Sequence, residues 1–193
     1  LGRHVRALGH DPTGLSIRAA VPVNLRPPDE PPVLGNRFGL AFLDLPLGLR
    51  NPLERLYAVH DSMRRLKDSR QPGAAFVVLG ALGRLPAPLQ AAADDALSRK
   101  DSAVVSNVPG PRTRLYLCGR PIEEMYFWVP QSGSIGLGVS VLSYVDQVLF
   151  GVVADRGLVP EPHRILDAFA LEFERLLLVT VMGAAAAGAA AAP

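Results

Sequence analysis

A chain of 193 residues is long enough to bury about two thirds of the surface its unfolded form would expose, so an ordinary core needs no disulfide or metal to hold it. An apolar content of 49% with 20% charged residues excludes a disordered or collagen-like chain, and 18 Gly with 18 Pro call for many turns. A net charge of +2, spread without basic blocks, gives no footprint for nucleic acid; one cysteine, Cys118, and four scattered histidines leave no internal disulfide and no four-ligand metal site, which fits a reducing, cytoplasmic setting.

Leu1 to Leu8 reads as the last two turns of a helix with Gly9 as its C-cap. Residues 1–14 are therefore expected to end a helix that packs on something upstream of residue 1, and to link it to a domain over 15–178. LSIRAAVPVNL, residues 15–25, alternates as a strand, and the RPPDEPP run after it must be an extended loop because proline brings no N–H to a sheet. GNRFGLAFLDLPL, residues 35–47, is a second strand, apolar on both sides and so expected to be buried.

Asn51-Pro52 supplies an N-cap and a first helical position, and Leu53, Leu56, Tyr57, His60, Met63 and Leu66 then recur along one face that should meet the core. Glu54 in the first turn and Arg64, Arg65 and Lys67 near the end suit the helix dipole. Residues 73–97 give two further helical stretches broken at Leu85-Pro86 and Pro88, and 101–111 reads as a strand running into a proline-fixed turn. A meander is expected next, over Leu115 to Cys118, Met125 to Val129, Ser134 to Ser143 and Val148 to Ala154.

Pro160 opens a last helix with Ile165, Leu166, Phe169, Phe173, Leu176 and Leu177 as its stripe, followed by an alanine-rich low-complexity tail over 179–193. Ile135 to Ala154 is apolar enough to resemble a membrane span, but Asp146-Gln147 interrupts it and its β-branched alternation suits two strands joined by a turn. The order predicts an α/β domain of α+β layered type, a mixed β-sheet flanked by helices.

Familiar catalytic patterns are absent: no G-x-S-x-G elbow, no phosphate loop, no histidine pair at metal spacing. GSIGLG, residues 133–138, opens a strand where a dinucleotide motif would open a helix. His4 and His10 flank the first helix, His60 sits on an apolar stripe, and His163 stands beside Glu161; none has neighbours arranged for general-base work.

What remains is a set of polar residues inside apolar strands. Ser106-Asn107 precedes the turn Pro109-Gly110-Pro111, whose glycine would permit close approach of another backbone or a ligand. Gln131-Ser132-Gly133 precedes the next strand, within which Ser140 and Ser143 are three apart and so point to opposite faces. Pattern alone equally allows these hydroxyls to satisfy buried backbone groups and close turns.

Ser106-Asn107-Val108-Pro109-Gly110-Pro111, followed by LYLCG at 115–119, resembles the Ser-Asn-Val-Pro-Gly-Pro motif of the bacterial wax ester synthase/diacylglycerol acyltransferase family. VPVNLRP at 21–27, LGNRFGL at 34–40, VPQSGSIGLGVSVLSY at 129–144 and GVVAD at 151–155 resemble the same family's C-terminal domain, in the same order. The resemblance covers residues 15–178 and implies the C-terminal half of the fold shared by chloramphenicol acetyltransferase and other coenzyme A-dependent acyltransferases.

By the same resemblance, the complete enzyme would transfer a fatty acyl group from acyl-CoA, as co-substrate with no bound cofactor, to a long-chain alcohol or a diacylglycerol. The family's base is the second histidine of a His-His-x-x-x-Asp-Gly motif in an N-terminal catalytic domain, and that motif is absent from these 193 residues. This chain would then carry no catalytic residue, be inactive alone, pair with that domain and build the second wall of the tunnel.

Similar enzymes place a Ser or Thr of the second domain near the oxyanion, which makes Ser140 or Ser143 the candidates here. Ser106, Asn107, Pro109, Gly110, Pro111 and Gln131 would shape the substrate or coenzyme A channel, with Arg112 and Arg114, beside Arg120, meeting coenzyme A phosphates. Lipid substrates would favour peripheral contact with the inner membrane or lipid inclusions. The competing expectation is a non-catalytic domain that holds lipid or acyl-CoA and pairs with another chain.

Overall fold

The computed structural model describes residues 1–190 apart from 28, 32, 36, 68, 99, 100, 132 and 133. Helix α1 (Gly2–Ala7) ends in a Schellman motif: Gly9, at φ +85°, donates to the Arg6 carbonyl at 2.9 Å and His10 to that of Val5 at 3.2 Å. Strands β1 (Ser16–Asn24) and β2 (Phe38–Pro46) then pair antiparallel over their full nine residues, from Ser16 opposite Pro46 to Asn24 opposite Phe38.

Helices α2 (Pro52–Lys67), α3 (Gln71–Leu82) and α4 (Ala87–Ser98) form the crossover to β3 (Ala103–Pro109), which runs parallel to β1. Asn51 caps α2 as its sequence demands, its Oδ1 accepting from the N–H of Leu53 at 2.9 Å and of Glu54 at 3.3 Å. A small hairpin, β4 (Tyr116–Leu117) with β5 (Arg120–Pro121), follows β3. Strand β6 (Leu137–Tyr144) lies parallel to β3, β7 (Gln147–Ala154) antiparallel to β6, and α5 (His163–Ala190) closes the chain.

The five-stranded sheet has the order β2-β1-β3-β6-β7, so the expected mixed sheet flanked by helices is what forms. One face packs on α5: Ala19, Ala103, Leu137 and Val139 surround Ile165, and Phe150, Phe169 and Phe173 stack in series with centroids 3.9 and 5.8 Å apart. The free edge of β2 is covered by α3. Phe42 N–H donates to Gln71 Oε1 at 3.2 Å, and a Cβ at Gly39 would fall on the Pro72 carbonyl oxygen.

Three expectations need correction. Met125 to Val129 is not a strand: β6 already has a partner on each side, and residues 122–131 instead lie over the sheet face, with Ile122, Met125 and Phe127 packed on Leu142, Tyr144 and Leu149. The first two turns of the α2 stripe do not meet the core. Leu53, Leu56, Tyr57 and His60 are exposed, Tyr57 by 63%, while Ala58, Val59 and Ser62 are turned inward with Met63 and Leu66. The last helix starts at His163 rather than Pro160, after Pro160 and Pro162, and continues through the alanines to Ala190, as the strongest helix former allows.

Candidate functional site

On the sheet face away from α5, the two central strands are left partly bare. β1 and β3 contribute small or short side chains there, Ala20, Pro22, Val104 and Ser106, and these floor a cavity of about 770 Å³. Its β2 side is walled by Phe38, Leu40 and Phe42 together with Ala74, Ala75, Val78 and Leu79 of α3. The opposite wall is the irregular segment Phe127–Gln131. Gly138 makes room for that segment, since a Cβ there would lie 3.3 Å from Gln131 Nε2 and 3.4 Å from the Val129 carbonyl oxygen.

Four polar side chains interrupt this apolar lining: Gln71, Asp101, Ser106 and Gln131. Two of them are committed to backbone, Gln71 to Phe42 N–H and Gln131 through Nε2 to the Val153 carbonyl at 3.1 Å. Ser106 is buried, and among the described residues its hydroxyl has no hydrogen-bond partner. Asp101 has a buried Oδ1 that is likewise unpaired, and burial raises its pKa against the opposing charge of Arg18. The cavity thus offers a long apolar surface with a free hydroxyl on one floor strand and a carboxyl at that strand's beginning.

The residues singled out by sequence fall in different places. Ser106 and Gln131 line the cavity, and Ser132 and Gly133 lie outside the described residues. Asn107 is exposed and, one residue on from Ser106, points to the other face. Ser140 and Ser143 do face opposite ways. Ser140 pairs with Ser106 across β3–β6 on the cavity-side face, but the residue is 4% exposed and lies beneath Trp128, where among the described residues its hydroxyl makes one long hydrogen bond, 3.5 Å to the Gly151 carbonyl. Ser143 is exposed, opposite Pro109.

The Pro109-Gly110-Pro111 turn is pinned to the end of β6. Gly110 N–H donates to the Ser143 carbonyl at 2.8 Å, a Cβ on Gly110 would collide with that oxygen, and Val145 N–H reaches the Pro111 carbonyl at 2.9 Å. Arg112 and Arg114 are exposed beyond it, Arg114 lying 3.4 Å from Glu123. None of the four histidines lines the cavity: His4 is buried, and His10, His60 and His163 are exposed. Among the described residues no group of metal ligands is assembled.

Sequence reasoning missed the roof. Trp128, 61% exposed and stacked on Tyr126, covers Ser140 and Gly151, yet it sat in a stretch read as a strand. The α3 wall was missed because Ala74, Ala75 and Val78 form no amphipathic stripe in a helix that is apolar all round. A signal was present in Ala20 and Pro22, two small residues at period two on a central strand, which leave space above them.

The WS/DGAT C-terminal domain family model matches residues 34–177. A probable diacylglycerol O-acyltransferase of Mycobacterium tuberculosis is 31% identical over 176 residues, covering 89% of this chain and 38% of that protein. A Mycobacterium bovis protein, also provisionally named a diacylglycerol O-acyltransferase, is 32% identical over 187 residues, covering 88% of this chain and 35% of its own length. The wax ester synthase/diacylglycerol acyltransferase of Marinobacter aquaeolei VT8 superposes with a TM-score of 0.67 at 25% identity, over 92% of this chain and 40% of that enzyme. The chain therefore spans less than half the length of the relatives it matches, and by motif, family model and fold it belongs to the wax ester synthase/diacylglycerol acyltransferase family as a C-terminal domain.

Proposed function

We propose that this chain is the C-terminal part of an O-acyltransferase that moves a fatty acyl group from acyl-CoA to a long-chain alcohol or a diacylglycerol, and that its cavity holds the apolar chain of one substrate. The observation that carries the reading is the 770 Å³ apolar cavity bordered by the first serine of the family motif, its hydroxyl unpaired among the described residues. Apolar lining gains free energy with each methylene it removes from water, about 0.8 kcal/mol per CH₂. The Ser106 hydroxyl gives a donor to a carbonyl or acceptor oxygen at one place along the chain's path.

In the transfer itself the acceptor hydroxyl oxygen bonds to the thioester carbon, the carbon–sulfur bond breaks, and the hydroxyl proton ends on the departing coenzyme A sulfur by way of a base. No histidine of this chain lies at the cavity, whose one carboxyl, Asp101, stands at the head of β3, and the histidine base of the family's motif would come from a domain outside these residues. The exposed apolar residues Leu53, Leu56 and Tyr57 of α2 are the kind of surface that such a domain would cover. Ser140 would reach an oxyanion only if Trp128 moved aside, and Ser143 lies on the other face, so Ser106 is the serine assigned to substrate. Arg112 and Arg114, exposed beyond the turn, would meet coenzyme A phosphates from outside.

No described helix is long and apolar enough to cross a membrane, and lipid substrates would be met by peripheral contact at a membrane or lipid inclusion. The test is Ala75→Trp in the full-length polypeptide, which fills the cavity from α3. Transfer from a long-chain acyl-CoA should fall about a hundredfold, the loss of roughly 3 kcal/mol of chain binding, with Tm little changed. An undiminished rate would show that the acyl chain runs elsewhere. A full-length protein that binds acyl-CoA through this cavity but transfers nothing would establish the non-catalytic, lipid-holding reading instead.

A further inference from the structure

The floor of the apolar cavity is polar at both ends of its β3 side. Val104, level with Ala20 of β1, lies in the middle, and Ser106 follows two residues on. Asp101 borders the same cavity from before the strand begins, where Ser102 N–H donates to the Arg18 carbonyl at 2.9 Å and ties the segment to β1. At roughly 3.3 Å per strand residue, the stretch from Ala103 to Ser106 alone spans about 10 Å. The floor between the two polar side chains is Ala20, Pro22 and Val104, a path that suits methylenes.

Asp101 suits them badly. Its Oδ1 is buried and, among the described residues, has no hydrogen-bond partner. Arg18, the cation on the neighbouring strand, directs its Nε to Asp44 at 3.2 Å. Burial already disfavours the charged form of Asp101, raising its pKa against the opposing charge of Arg18. The residue as a whole is only half-buried, so water still reaches it. An alkyl chain that stops short of Asp101 leaves that water in place, whereas a longer one displaces it and offers no hydrogen bond in return. Each methylene laid on apolar wall strengthens binding about fourfold. Covering an unpaired polar group weakens it about tenfold or more, so the penalty exceeds the gain from one further methylene. We propose that Asp101 is a specificity-determining residue that sets the longest acyl chain the cavity accepts. The proposal rests on the reading of this cavity as the acyl site, with the carbonyl end of the chain toward Ser106.

The experiment measures kcat/KM of the full-length polypeptide for saturated acyl-CoAs of rising length with one fixed acceptor alcohol. In the parent, kcat/KM should climb about fourfold per methylene, then level or fall once the chain reaches Asp101. Asp101→Val, similar in shape and apolar, should remove that break, so that chains beyond it gain about tenfold or more over the parent. Asp101→Asn keeps an unpaired polar group and should keep the break. Thermal unfolding reports on the fold separately: neither variant gives up a hydrogen bond of the Asp101 carboxyl found among the described residues, so Tm should hold or rise. The proposal is overturned if Asp101→Val breaks at the parental length, or if Asp101→Asn shifts the profile as far as Asp101→Val does. Ala75→Trp tells the two possible failures apart. If it slows long chains while Asp101→Val leaves the break in place, the cavity holds the chain and Asp101 does not measure it. If Ala75→Trp slows nothing, the acyl site lies elsewhere and the role of Asp101 falls with it.

Discussion

The two faces of one sheet are used differently. On the α5 side, Ala19, Ala103 and Val139 are buried against Ile165 and a run of stacked phenylalanines. On the other side, the same strands present Ala20, Val104 and Ser106 to an open cavity, because α3 and residues 122–131 stand at its two margins without meeting over the middle. Strand alternation puts these two environments one residue apart, so Val105 belongs to the core and Ser106 to the cavity. The lesson is that stability and ligand contact can be separated by a single step along β3, and mutations on either side should separate them too.

The largest effect is expected on the packed face. Ile165→Ala removes a side chain that is 3% exposed at the centre of the core cluster, and should cost about 3 kcal/mol in denaturant unfolding without changing acyl-chain selectivity. A loss below 1 kcal/mol would mean that α5 is not what closes this face. Next is Tyr144→Phe, which probes the covered end of the other face. The Tyr144 hydroxyl accepts from Leu115 N–H and donates to the Ile122 carbonyl, both at 2.9 Å, in a side chain that is 1% exposed. Removing it strands two backbone groups and should cost about 2 kcal/mol, with selective loss of amide protection at Leu115, whose N–H it accepts from, seen by hydrogen exchange.

Glu172→Gln should have a smaller effect, with a distinctive pH signature. Burial disfavours its ionised form, but the hydrogen bonds and charges of Arg3 and Arg55 outweigh burial and hold the pKa below the ordinary carboxylate value. A lowered folded-state pKa stabilises the fold above the unfolded value, near about 4.3, and that stability drains away as pH falls through the lowered one. The variant should therefore lose about 1 kcal/mol at pH 7 and show a shallower acid limb. Parallel stability–pH curves for the two proteins would remove Glu172 from the account of acid denaturation.

Most strands and helices were legible because pattern and punctuation agree: period two over 16–24, an apolar run bounded by Gly and Pro over 38–46, Asn51-Pro52 at the head of α2, Gly9 closing α1. The failures have a common cause, in that periodicity reports an apolar face without naming what covers it. In α2 the stripe of Leu53, Leu56 and Tyr57 is left uncovered by this chain, and in Met125 to Val129 the alternation serves packing on a sheet face rather than a ladder. The site was legible in part, through the family motif around Ser106 and the role of Gly110 in a close approach. Its walls were not, because a cavity is made by tertiary placement of Trp128 and α3, and neither carries a local mark.

The smallest expected stability effects, and the sharpest comparison, come from adjacent residues of β3. Neither Ser106 nor Asn107 has a described side-chain partner, so Ser106→Ala and Asn107→Ala should each shift stability by no more than about 0.5 kcal/mol. Their effects on the full-length enzyme should differ. Ser106 faces the cavity and Asn107 the opposite side, exposed at the far end of the strand. Ser106→Ala should lower kcat/KM for a long-chain acyl-CoA about tenfold, the value of one hydrogen bond to substrate in a dry site, and Asn107→Ala should leave it nearly unchanged. If the two exchange roles, with Asn107 the costly position, substrate passes along the other face of β3, and the apolar cavity is not the path of the acyl chain.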